Sequence, residues 1–133
     1  MLPFEMLGEC KIYGGFEHHC EGCQQLLTRY SNGRSRRSFC LDFFRKPEMY
    51  EKLDKLRRQF ESEKPLDQVG LPVDHKIKGA FLTAHRHFSA TIIEVLHLGC
   101  NLYHPEAQRS VCSEAEKSAI IMSSRIPSET AEN

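Results

Sequence analysis

The spacing of apolar residues predicts two helices in the first half of the chain. From Phe16 to Tyr30 the apolar or thiol positions recur as on one buried helix face, and a polar run with a glycine follows. Pro47 favours the first turn of a second helix, because its fixed φ suits that position and no N–H is needed there. The buried stripe of this second helix consists of Met49, Leu53, Leu56 and Phe60.

The second half of the chain is also predicted to be helical. Two prolines and a glycine in residues 65–72 indicate a loop. Helices are expected at 87–98, before a glycine, and at 105–122, after a proline. Alternation typical of a strand occurs only at 9–13, and the apolar segment 39–44 is expected to be buried. The pattern therefore predicts an all-α fold.

Length and charge limit the classes of protein that fit. A chain of 133 residues predicts a single domain, residues 1–126, followed by a flexible C-terminal tail, residues 127–133. Lysine plus arginine equal aspartate plus glutamate at 18 each, so no nucleic-acid or membrane partner is expected from charge. No run reaches the roughly 20 apolar residues of a membrane helix, and the start does not resemble a secretory signal. We therefore expect a cytoplasmic protein.

The six cysteines are expected to be reduced thiols in that compartment. Cys10 and Cys20 have the spacing of helical hairpins that are oxidised in the mitochondrial intermembrane space, but no second such pair follows. Cys20-Glu21-Gly22-Cys23 lies beside His18 and His19 and offers ligands for zinc. A zinc-stabilised helical interaction module is therefore one alternative for the function.

An ordered set of aromatic residues around His75 is typical of a haem pocket. Haem iron needs a neutral imidazole as axial ligand, the porphyrin needs apolar walls, and a bound diatomic gas needs a hydrogen-bond donor on the opposite face. His75 follows a Gly-Leu-Pro turn, and Tyr30 ends the first predicted helix, where its hydroxyl is a candidate donor. Phe43 and Phe44 are candidates for contact with the porphyrin edge.

Over positions 16 to 126 these residues resemble the truncated, or 2-on-2, haemoglobins, most nearly the bacterial group III branch. In that family a helix ends in a tyrosine, and a phenylalanine follows 13 residues later, as here. The chain departs from the family in having no tryptophan, with Thr91 at the usual tryptophan position and Leu53 where a distal histidine often lies. The positions that carry the resemblance are Tyr30, Phe43, Tyr50, Phe60, Gly70–His75, His87-Phe88 and Leu102–Ala107.

The resemblance implies a globin-like 2-on-2 helical sandwich around one haem b, with His75 as the proximal iron ligand and Tyr30 as the distal donor. It further implies reversible binding of oxygen, nitric oxide or carbon monoxide. A reductase partner and nitric oxide dioxygenase or peroxidase-like side activity are compatible with it, although no enzyme activity is predicted. The expected walls of the pocket are Phe43, Phe44, Leu53, Leu56, Phe60, Phe88 and Ile92.

Two other interpretations use histidines of the same region. His85 is an alternative iron ligand if the register is shifted. The segment His75–Ala80, with its lysines and glycine, resembles the phosphoacceptor signature of histidine phosphotransfer domains, which are also helical and of similar size. In that interpretation His75 accepts a phosphoryl group and binds no iron.

Overall fold

A mixed β-sheet, covered on one face by helices, is the scaffold of this protein. The computed structural model describes residues 6–30, 36–88 and 90–105. Within these residues the sheet has five strands in the order β1-β2-β5-β4-β3. The elements follow one another along the chain as β1 (Leu7–Ile12), α1 (Phe16–Gln25) with a π-helical turn (Leu26–Tyr30), β2 (Arg37–Phe44), α2 (Met49–Glu63), β3 (Val73–Asp74), β4 (Phe81–Arg86) and β5 (Ile92–Asn101).

The pairings β1–β2 and β2–β5 are parallel, and the pairings β5–β4 and β4–β3 are antiparallel. β1 pairs with β2 from Leu7 opposite Ser38, and β2 pairs with β5 from Arg37 opposite Glu94. The α1 and α2 segments supply the crossovers that parallel pairing requires. β4 runs antiparallel to β5, with Phe81 opposite His97, and the short β3 adds to the edge of β4.

Alternation along the central strands decides which side chains face the helices. In β2 the buried positions are every second residue, which places Ser38, Cys40, Asp42 and Phe44 on the helix side. β4 and β5 show the same alternation in their buried residues. The buried residues of these two strands are Phe81, Thr83, His85, Ile93, Val95 and His97. This buried face thus carries several polar side chains among its apolar ones.

Both helices pack on this one face of the sheet. Phe60 of α2 lies at the centre of the contact, with its ring centroid 4.7 Å from that of His97, 5.8 Å from Phe81 and 5.4 Å from Phe16 of α1. Gly99 permits close approach of α2 to β5, because a Cβ there would lie 3.0 Å from Met49 Sδ and 3.1 Å from Leu53 Cδ1. Residues from α1, α2, β2, β4 and β5 therefore share one core.

The all-α prediction is wrong, and so is the globin fold that the resemblance implied. The sheet overturns both, since the segment predicted as a helix at 87–98 largely forms β5 and the segment 39–44 belongs to β2. Ile92-Ile93-Glu94-Val95 is rich in β-branched residues, which favour a strand, although the apolar positions of this segment also fit a helical face. The two helices predicted in the first half are confirmed as α1 and α2.

The chain separates into a compact unit, Met1–Leu102, and a second unit, Tyr103–Asn133. Of the second unit the structure describes only residues 103–105, so the rest of the predicted last helix and the tail at 127–133 lie outside the described residues. None of the helices within the described ranges combines the length and apolar character that a membrane span needs.

Candidate metal centre

A cluster of one histidine and two cysteines lies between α1 and the sheet. His19 and Cys23 are four residues apart on α1 and therefore share one face of the helix, and Cys40 is on the helix side of β2. One potential ligand atom from each of the three residues lies within 4.8 Å of the others. All three side chains are buried, with His19 1% exposed and the two cysteines 0%.

Around this cluster the sheet contributes further polar side chains. His19 Nδ1 is 2.6 Å from Asp42 Oδ2, and His19 Nε2 is 2.8 Å from His97 Nδ1. Cys40 Sγ is 3.8 Å from His19 Nδ1, and Cys23 Sγ is 3.9 Å from His97 Nδ1. Two thiols, two imidazoles and a carboxyl group therefore meet in a volume from which solvent is excluded.

A chain of hydrogen bonds continues from His97 along the helix side of the sheet to the loop after α2. His97 Nε2 is 2.7 Å from Thr83 Oγ1, and the same hydroxyl is 2.7 Å from His85 Nε2. His85 Nδ1 is 3.0 Å from the carbonyl oxygen of Leu66. The strands set this order, because Thr83 and His85 alternate on β4 and His97 lies on the neighbouring β5.

The electrostatics of the cluster distinguish its members. Burial would lower the pKa of His19, but hydrogen bonds to Asp42 and Cys40 outweigh it and raise that pKa to about 9. The hydrogen bond from the Cys23 thiol, together with His19, lowers the pKa of Cys40, while the same bond and burial raise the pKa of Cys23. Burial lowers the pKa of His97 well below its ordinary value, and to a smaller degree that of His85. The cluster thus contains a favoured thiolate at Cys40, a protonated imidazole at His19 and a neutral imidazole at His97, and the neighbouring His85 is neutral as well.

One oxygen of Asp42 has no hydrogen-bond partner. Asp42 is 1% exposed, its Oδ2 contacts His19, and its Oδ1 is a buried polar atom without a partner in the described structure. Buried polar atoms are nearly always satisfied in folded proteins. An unsatisfied carboxylate oxygen beside two cysteines and a histidine is therefore consistent with a cation in the cluster.

His75, predicted as the iron ligand, is not a member of this cluster. It is half-buried in the loop between β3 and β4, its backbone N–H donates to the Ala80 carbonyl, and its Nδ1 accepts from the Ile77 N–H at 3.2 Å. It lines a cavity of about 290 Å³ together with Tyr50, Asp54 and Arg57. The cavity wall is polar and charged, unlike the apolar walls that a porphyrin requires.

Of the predicted pocket residues that the structure describes, only Leu53 lines the cavity beside His75. Phe43 and Phe44 are consecutive in β2 and face opposite sides of the sheet, so one pocket cannot receive both. Phe88 is 84% exposed, and Ile92 is partly exposed at the start of β5. Tyr30 is the last residue of the π-helical turn, and its side chain lies outside the described part of the structure. The remaining members, Leu53, Leu56 and Phe60, pack in the core through α2.

Cys20 and Cys23, predicted as a pair of zinc ligands, differ in their position on α1. Cys23 belongs to the cluster, whereas Cys20 is only partly buried at its margin, and His18 is on the exposed side of α1. His85, the alternative iron ligand, is part of the hydrogen-bonded chain. Sequence reasoning missed Cys40, Asp42 and His97, and the available signal was their position at alternate sites in apolar runs.

Comparisons with protein-family models, with curated proteins and with solved structures find no match to this chain. The argument for a function therefore comes from the chemistry of the cluster.

Proposed function

We propose that this protein is a zinc-binding α/β domain whose metal is held in the core by His19, Cys23 and Cys40. The observation that carries the proposal is the meeting of three buried ligand side chains within 4.8 Å of one another. Cysteine sulfur and imidazole nitrogen are the ligands that structural zinc sites use. Such a site stabilises the domain by joining α1 to the sheet.

The balance of charge favours a cation over a purely packed core. Buried polar groups destabilise a fold unless they are paired, and a buried charge does so more strongly. Cys40 is the favoured thiolate, and the Asp42 carboxyl group next to it has an oxygen without a partner. The protonated His19 offsets part of this negative charge, and a divalent cation that binds both sulfurs as thiolates offsets the charge of both.

The separations of the donor atoms suit a tetrahedral zinc site. Zinc bonds of about 2.3 Å to sulfur and about 2.0–2.1 Å to nitrogen place neighbouring tetrahedral ligands about 3.5–3.8 Å apart. One donor atom from each of His19, Cys23 and Cys40 lies within 4.8 Å of the other two, so side-chain shifts are needed to bring them to these separations. Thiolate ligands select zinc over magnesium or calcium.

Complete burial favours a structural role for the metal. Catalytic zinc sites keep one coordination position open to water or substrate, whereas structural sites are closed by protein ligands. All three ligands here are excluded from solvent, which favours a closed site. A reducing compartment such as the cytoplasm, our expectation for this chain, would keep Cys23 and Cys40 available as thiols.

The proposal is tested by the metal content of protein purified under reducing conditions without added chelator. We expect one zinc per chain, and cobalt substitution should give thiolate charge-transfer absorption. Cys23→Ser and Cys40→Ser should lose most of the metal, because each removes a ligand. Cys20→Ser, on the same helix but at the margin of the cluster, is the matched control and should retain it.

The same preparations separate zinc from the two functions that depend on His75. A metal-free wild-type protein that takes up neither zinc nor cobalt would refute the zinc centre. A Soret band lost in His75→Ala would support haem, and phosphoryl transfer to His75 would support the relay function. We expect neither, since the loop that holds His75 provides neither an apolar slot nor a helix face.

A further inference from the structure

We propose that His97 is the fourth ligand of this centre and that Thr83 and His85 are positioning residues that fix which nitrogen of His97 carries its proton. The inference rests on the proposed zinc site and assigns roles to residues outside the three-residue cluster. The hydrogen-bonded chain from the Leu66 carbonyl to His97 carries it.

The direction of the chain follows from its far end. A backbone carbonyl can only accept a hydrogen bond, so His85 must carry a proton on Nδ1 and donate it to Leu66. The buried, neutral His85 ring then presents a lone pair on Nε2. The Thr83 hydroxyl, 2.7 Å away, has to donate its only proton to that lone pair.

The same assignment of hydrogen-bond donors and acceptors determines the tautomer of His97. Because the Thr83 proton is directed at His85, the Thr83 oxygen accepts at its other contact, and His97 Nε2 donates to it. A neutral His97 with a proton on Nε2 has its lone pair on Nδ1. A lone pair on a fixed imidazole nitrogen is what a metal ligand must supply.

His97 Nδ1 points at the other ligands. It is 2.8 Å from His19 Nε2 and 3.9 Å from Cys23 Sγ. Since His97 Nδ1 accepts, His19 Nε2 donates the proton between the two rings, while His19 Nδ1 contacts Asp42. Binding of Zn²⁺ replaces this shared proton, which leaves to solvent together with the proton of the Cys23 thiol.

Each histidine then has the outer partner that metal-bound histidines usually have. His19 Nδ1 donates to the Asp42 carboxylate, and His97 Nε2 donates to the Thr83 hydroxyl. The ligand set becomes two cysteines and two histidines, a common composition of closed zinc sites. Thr83 and His85 do not touch the metal and act through the orientation and tautomer of His97.

The test compares Thr83→Ser with Thr83→Val by chelator competition for zinc and by the cobalt spectrum. Thr83→Ser keeps the hydroxyl and should bind as the wild type does. Thr83→Val keeps the shape but frees His97 to move its proton to Nδ1, and we expect affinity to fall about 10- to 100-fold. His97→Phe, which preserves stacking on Phe81, should bind cobalt weakly and with an altered ligand-field spectrum.

Nitrogen-15 NMR of the histidines in the wild-type zinc protein gives a readout that needs no variant to fold. We expect His97 to show a metal-bound Nδ1 and a protonated Nε2. A metal-bound wild type in which His97 is not coordinated, or in which Thr83→Val binds as tightly as Thr83→Ser, would overturn this inference alone. A wild type that binds no zinc would overturn it together with the proposed function.

Discussion

At the scale of single residues, the unusual feature of this protein is the polarity of its core. Asp42, His97 and Thr83 occupy inward-facing positions of their strands, where a sheet normally has aliphatic side chains. Each makes a contact of 2.8 Å or less with another buried polar side chain. Such a network stabilises a fold only when its members are satisfied, which makes each residue a sensitive site for substitution.

Asp42 provides a direct prediction at this scale. Asp42→Asn removes the carboxylate that holds His19 Nδ1, so zinc affinity should fall about 10- to 100-fold. Asp54→Asn is the matched control, because Asp54 is an exposed residue of α2 that pairs with Arg58 on the surface. Chelator competition measures both, and equal affinities for the two variants would show that Asp42 does not act on the metal.

The neutral histidines give a pH dependence to the zinc-free protein. Burial lowers the pKa values of His97 and His85, so the unfolded chain takes up protons near its ordinary pKa of about 6.5 that the folded state does not. The free energy of unfolding should therefore decrease as the pH falls below about 6.5, by at most about 1.4 kcal/mol per pH unit for each histidine. On the alkaline side, the raised pKa of His19 and the lowered pKa of Cys40 act in opposite directions and partly cancel.

Urea unfolding between about pH 7 and 5.5 measures this dependence. His85→Gln should reduce the slope, since it removes one of the two buried rings and keeps a donor for the Leu66 carbonyl. His18→Gln, on the exposed side of α1, should leave the slope unchanged. A slope as steep in His85→Gln as in the wild type would show that His85 does not contribute to it.

At the scale of elements, the approach of α2 to β5 depends on Gly99. An added Cβ at this position would lie 2.8 Å from Phe44 Cε1 and 3.0 Å from Met49 Sδ, both inside the core. Gly99→Ala should therefore lower the free energy of unfolding by about 1–3 kcal/mol, as overpacking does. Gly22→Ala is the control on α1: its Cβ would meet the flexible Lys11 side chain at 2.9 Å, and alanine favours a helix. If both variants unfold at the same urea concentration, an added Cβ at residue 99 does not destabilise the packing of α2 on β5.

The elements also show how far sequence reasoning reaches. α1 and α2 were predictable because each repeats an apolar face over several turns and lies between clear end signals. β5 was not, because Phe88, Ile92, Val95 and Leu96 happen to fit a helical face, whereas the strand is fixed by pairing with β2 and β4. Pairing between residues as distant in sequence as Ser38 and Val95 leaves no mark in a local pattern.

The same limit applies to the candidate site. His19 and Cys23 could be recognised as a pair on one helix face, since their spacing is local. Cys40, Asp42 and His97 reach them only through the sheet register, with His97 lying 78 residues from His19. The resemblance of the aromatic residues to globins was a pattern of spacing. Helical spacing does not place residues on a common face where the chain forms strands.

At the scale of the whole molecule, the proposed centre joins elements that are distant in sequence. His19 and Cys23 come from the first helix, Cys40 from β2, and His97 from β5, all within the compact unit Met1–Leu102. A metal bound only in the folded state adds its binding free energy to the stability of this unit. Removal of zinc is therefore expected to loosen the packing of α1 on the sheet.

The most direct measurement of this account is zinc K-edge X-ray absorption on the purified protein. The account predicts one zinc per chain with two sulfur ligands at about 2.3 Å and two nitrogen ligands at about 2.0–2.1 Å. A shell of nitrogen and oxygen ligands without sulfur, or a reduced protein that contains no zinc and binds none, would contradict it.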